Sequence, residues 1–148
     1  MDLENMSCEV KYDLATNPYT PEDVLRELSK SKDEEEEVRY NVAKNPNAPV
    51  DILRDLAKDD CYDVRQNVAL NPNTPDDILQ ELAKDERWQV RFQVANNSKS
   101  SRKLLVTLFG HEKSLKEPDY SVLRALYRNA ELPSFAKSII ETLFWELL

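Results

Sequence analysis

The chain has one glycine, one histidine and two cysteines in 148 residues. Each scarcity excludes something. With Gly110 alone, neither a GxGxxG turn nor a GxxxxGK[ST] phosphate loop exists. His111 lies in the polar stretch Gly110-His111-Glu112-Lys113, which reads as a loop, and no serine or cysteine motif points to it as a catalytic base. Cys8 and Cys61 belong to no CxxC pair and no HExxH is present, so neither a metal nor a cofactor is expected and the thiols read as reduced. No apolar run approaches the ~20 residues that span a bilayer. Met1-Asp2-Leu3-Glu4-Asn5 lacks the basic-then-apolar order of a signal peptide, so the expected location is the cytoplasm.

What is present is charge and hydrophobic patterning: 32% charged and 41% hydrophobic residues, a balance that suits a folded chain. At this length one domain spanning 1–148 is expected, able to bury roughly 70% of its unfolded surface. The net charge is −8, and residues 1–37 carry the whole excess. That placement disfavours broad attraction to nucleic acid or to an anionic membrane. The run Asp33-Glu34-Glu35-Glu36-Glu37 reads as a solvated linker and helix start rather than a cation site.

The pattern is a repeat. Residues 38–58, VRYNVAKNPNAPVDILRDLAK, match 64–84, VRQNVALNPNTPDDILQELAK. Residues 10–30 are an earlier copy, 90–97 open a fourth, and a degenerate fifth begins at Val122. The first slot is thus Val10, Val38, Val64, Val90 and Val122. Each copy reads as two short helices. In the third, Val64, Val68 and Ala69 share one face, Asn71-Pro72 ends the helix, and Thr74 serves as N-cap with Pro75 at the first helical position and Asp77 completing a capping box. Ile78, Leu79, Leu82 and Ala83 line the second helix. Ala48 lacks the capping hydroxyl, and Ser100-Ser101-Arg102-Lys103 keeps a cap but follows it with two cations. A first helix of about two turns is unstable alone, so stacked neighbours must cover its apolar side. The fold class is therefore all-α: an α-solenoid of about five two-helix repeats, with 134–148 as a terminal helix.

Three further rows run through the copies. Asp33, Asp59 and Asp85 each precede an arginine by six residues, Arg39, Arg65 and Arg91, which suggests a ladder of charge-assisted bonds between units. Asn17, Asn45, Asn71 and Asn97 read as structural, each closing its turn with its own side chain. Tyr12, Tyr40, Gln66 and Phe92, with Tyr62, Trp88 and Tyr120, form an aromatic row beside the amides Asn41, Asn67 and Gln93. The aromatics suit either a partner surface or packing between units. The expected surface is Tyr40, Asn41, Asn67, Trp88, Phe92 and Gln93.

VRxxVAxNPxTPxxxLxxLAxD, clear over residues 10–97, resembles the leucine-rich repeat variant family and is similar to the wider HEAT-like group. The resemblance implies a right-handed superhelix of short helices and, by analogy of fold, binding of other macromolecules. Some relatives carry an iron–sulfur module, but Cys8 alone near the start does not supply the four thiolates of such a cluster. The leading expectation is a non-enzymatic scaffold that binds a protein or peptide. A second is a HEAT-like nucleic-acid-binding or DNA-glycosylase-like protein acting through Lys99, Arg102, Lys103, Lys113 and Lys116, against Glu112. A third is homotypic assembly through the acidic N-terminal end and the apolar C-terminal helix. That helix, 134–148, with Phe135, Ala136, Ile139, Ile140, Leu143, Phe144, Leu147 and Leu148 as a broad apolar surface, either closes the core or forms a homodimer contact.

Overall fold

The computed structural model describes residues 3–31 and 36–144. Asp33, the run from Asp33 to Glu35, and the terminal Leu147 and Leu148 lie outside the described residues. Those described form ten α-helices and no strand, after a short 3-10 turn at Leu3–Asn5. The first helices of the five copies are α1 (Cys8–Thr16), α3 (Glu36–Lys44), α5 (Tyr62–Leu70), α7 (Trp88–Asn96) and α9 (Tyr120–Arg128). The second helices are α2 (Glu22–Leu28), α4 (Val50–Leu56), α6 (Asp76–Leu82), α8 (Arg102–Ser114) and α10 (Ser134–Phe144). This is the layout of a helical repeat. The chain divides into two compact units, Met1–Thr74 and Pro75–Leu148.

In the first unit α3 packs against both α1 and α5, and in the second α7 packs against α9. The packing follows from the first slot. Val38, Val64, Val90 and Val122 are at most 2% exposed, and burying each contributes about 1.5–3 kcal/mol. Val10 departs from the row, at 44% exposed. On the second helices the expected face is buried: Ile78, Leu79 and Leu82 on α6, with Ala83 just after it.

Helix starts differ from the sequence reading. Pro21, Pro49 and Pro75 take the N-cap position themselves, and no side chain caps α2, α4 or α6. Thr74 is not the cap. Its hydroxyl donates backwards to the Val68 carbonyl at 2.6 Å, as Thr20 donates to Leu14, and Ser100 makes the same bond to Val94. The last turn of the first helix leaves carbonyls without intrahelical partners, and a buried hydroxyl satisfies one of them. At α8 the cap is Ser101, which accepts the Leu104 N–H at 3.2 Å. His111 is likewise not in a loop: it lies on α8, half-buried.

Helix ends also need more than proline. Asn71 stands in extended backbone (ψ 124°) before Pro72, as the restriction on pre-proline residues demands. Asn97 before Ser98 (ψ 130°) and Asn129 before Ala130 (ψ 125°) do the same without a proline. The common cause is the asparagine. Its Oδ1 accepts the N–H two residues on, at Tyr19, Asn47, Asn73, Lys99 and Glu131, each at 2.8–2.9 Å.

Candidate interaction surface

Four rows fix what each unit presents. The first is the asparagine row, whose side chains do two jobs. While Oδ1 closes the turn, the Asn45 amide donates to the carbonyls of Ala15 (2.8 Å) and Asn17 (3.0 Å) on the preceding first helix. Asn71 repeats this with Ala43 (2.8 Å) and Asn45 (3.0 Å), and in the second unit Asn129 donates to Ala95 (2.8 Å). These residues tie neighbouring copies together through buried backbone carbonyls. The sequence showed only the turn-closing half of that role.

The second row is the arginines, and the six-residue pairing needs correcting. Arg65 donates to the backbone carbonyls of Asp59 (2.7 Å) and Asp60 (3.0 Å), and Arg91 to those of Asp85 (2.8 Å) and Glu86 (3.0 Å). The carboxylate comes from one copy further on. Asp59 receives Arg39 in a bidentate clamp (2.7 and 3.2 Å), with both side chains under 10% exposed, while Arg39 also reaches the Ser31 carbonyl at 2.9 Å. In the second unit Arg91 pairs with Glu112, which is fully buried and also accepts the Asp119 N–H at 3.1 Å. Arginine's planar fork suits such a junction of carboxylate and carbonyls. Glu112, read in sequence as a solvated neighbour of the lysines, is therefore structural. Its signal was the offset: Glu112 follows Arg91 by 21 residues as Asp59 follows Arg39 by 20.

The third row was expected to face a partner, and two of its amides are buried. Asn41 and Asn67 are 6% and 4% exposed, and each spends its amide on its own helix, Asn41 on the Glu37 carbonyl (2.7 Å) and Asn67 on that of Asp63 (2.8 Å). They are interior residues, because their position lies on the flank of the apolar stripe where neighbouring first helices meet. Tyr40 beside them is half-buried.

The second unit keeps an open aromatic face. Trp88 is 40% exposed and meets Phe92 edge-on, ring centres 6.3 Å apart at 80°, with Gln93 half-buried beyond. Tyr120, at the register of Trp88 on the adjacent α9, is exposed and meets Phe144 of α10 at 6.2 Å. On α10, Ala136 and Ile140 are buried while Phe135 and Leu143 stay exposed, so the terminal helix covers its neighbour with one side only.

The fourth row is charge around the second helices. Between α2 and α4 a shallow cleft lined by Asp23, Glu27, Asp51 and Asp55 also holds Arg26 and Lys30. Arg26 donates to Asp51, which holds that carboxyl below its ordinary range. At the start of α8, Asp76 accepts the Ser101 N–H at 3.4 Å and Gln80 at 2.6 Å. Burial raises its pKa, but these bonds and Lys103 prevail and the net shift is downward. Asp76 thus brings to the α8 N-terminus the anion that Arg102 and Lys103 do not provide. Tyr127 donates to Glu141 at 2.7 Å, which pushes the phenol pKa up. No three His, Cys, Asp or Glu side chains among the described residues gather as metal ligands, and no helix among them is long and apolar enough to cross a membrane.

The leucine rich repeat variant family model matches residues 62–87, the segment containing α5 and α6. No curated protein and no solved structure matches the chain.

Proposed function

We propose that the chain is a non-enzymatic helical-repeat scaffold for protein–protein contact, and that the aromatic face on α7 and α9 is its contact surface. One observation carries the reading: Trp88 is held edge-on by Phe92 yet leaves 40% of its surface open. A large aromatic already fixed in place loses little side-chain freedom on binding, which is the property of an interface anchor. The repeat match at 62–87 supports a scaffold role by analogy of fold. The proposed setting is the cytoplasm, which suits the reduced, unbridged thiols Cys8 and Cys61.

The test is capture of partners from native cytosol by the full chain, by Trp88→Ala and by Phe92→Ala. The parent should retain a defined set of proteins, and both variants should lose it while melting within a few degrees of the parent. Retention of every partner by both variants refutes the surface.

The withdrawal of Glu112 into the core favours a second reading. It leaves Lys99, Arg102, Lys103, Lys113 and Lys116 exposed around α8 without that nearby acid to offset them. Such a patch suits phosphate backbone. Duplex DNA titrated at two salt concentrations decides it: salt-sensitive binding lost on Lys103→Glu supports this reading, and its absence removes it.

A further inference from the structure

We propose that α1 is a docking seat for a second copy of this chain, joined head to tail through the C-terminal end of α9. The interior of the first unit shows what such a joint consists of. Val38 and Val64 are 2% and 0% exposed where a preceding first helix covers them, whereas Val10 is 44% exposed. Asn45 and Asn71 each give their amide to two carbonyls of the preceding first helix. Asn17 closes its own turn onto the Tyr19 N–H at 2.9 Å, but its amide nitrogen has no acceptor among the described residues. α1 therefore presents a complete donor half, apolar slot and amide together, with Val10 part-open and the Asn17 amide unused among the described residues.

The matching acceptor half is a first helix that ends on an asparagine turn. The carbonyls used by Asn45 belong to Ala15 and Asn17, and the same slots on α9 are Tyr127 and Asn129. No asparagine side chain among the described residues donates to either of those two carbonyls. Charge matches the same pairing. Glu9 and Asp13 are exposed on α1, and Arg128, next to the Asn129 turn, is exposed on α9. Tyr127 replaces the alanine of the other copies. Its ring, tethered to Glu141, offers Val10 an aromatic wall in place of a methyl group. Donor and acceptor halves are different surfaces of one chain, so the contact is heterologous and propagates to rings or open chains rather than closing as a two-fold dimer.

Sedimentation of the full chain from about 10 μM to about 1 mM should show mass rising with concentration, more strongly at low salt. Two blocked variants test the seat. Asn17→Asp with Val10→Ser removes the donor half, while the new carboxylate still accepts the Tyr19 N–H and keeps the turn. Arg128→Glu reverses the charge on the acceptor side. Each alone should associate at least about tenfold more weakly than the parent. Mixed in equal amounts, they retain one intact joint between them and should form heterodimers and nothing larger. A parent that stays monomeric throughout, a blocked variant that associates like the parent, or a mixture that stays monomeric overturns the proposal.

Discussion

Glu112→Ala should be among the most damaging single substitutions in the second unit. The side chain is fully buried, pairs with Arg91, itself 4% exposed, and accepts the Asp119 N–H. Truncation leaves a guanidinium held by the carbonyls of Asp85 and Glu86 with no counter-charge from α8. Breaking a buried pair in this way costs about 3–5 kcal/mol. Glu112→Gln keeps the shape and one acceptor, and should cost about 1.5–3 kcal/mol, the range for a hydrogen bond to a charged group. Arg91→Met combined with Glu112→Leu removes both charges, and its cost should fall well below the sum of the two single changes, giving a coupling of about 1–3 kcal/mol. Urea denaturation followed by circular dichroism measures all of these. A loss under about 1 kcal/mol for Glu112→Ala is what a solvated surface pair gives, and would refute the burial argument.

Three further predictions concern single rows. Ala48→Thr should add about 1 kcal/mol of stability by supplying the hydroxyl bond to the Val42 carbonyl that Thr20 and Thr74 make at their own sites; no gain from either Ala48→Thr or the smaller Ala48→Ser would show that this carbonyl needs no further donor. Asn45→Asp should cost about 1–3 kcal/mol because two carbonyls of the preceding helix lose their donor, whereas Asn17→Asp should change stability by under about 0.5 kcal/mol; equal losses in thermal melts would contradict the two-job account. The Asp51 carboxyl, lowered by Arg26, contributes stability that is present above the ordinary carboxylate range and is lost as pH falls through its folded-state value. In a carbon-detected titration, Arg26→Gln should move Asp51 upward; an unmoved Asp51 would show that the guanidinium is not the cause.

Four of the five first-slot valines were legible because a four-residue recurrence of apolar side chains marks a buried helix face, whereas the exposure of Val10 depends on tertiary neighbours that the recurrence does not specify. The arginine row was legible as a row but not in its partners. A six-residue spacing brings Arg65 and Arg91 to backbone carbonyls, while the carboxylates for Arg39 and Arg91 sit about twenty residues later, a distance set by packing rather than by local geometry. Glu112 was further hidden because the fourth copy exchanges the aspartate for a glutamate on a longer helix. Asn41 and Asn67 misled because an amide has the same composition signal whether it meets solvent or its own helix carbonyl. Exposed Trp88 and buried Asn67 follow from tertiary neighbours, which spacing alone does not specify.

The asparagine bonds have a consequence for how this architecture tolerates change in length. Asn71 reaches back 28 residues to Ala43, and Asn129 reaches back 34 to Ala95 with the same 2.8 Å bond. The additional chain is taken up entirely by α8, thirteen residues against seven in α6. Sequence inserted on that side leaves the seam between first helices untouched, so residues 115–118, between α8 and the Asp119 cap of α9, are where foreign loops or tags can be grafted without loosening the junction between α7 and α9.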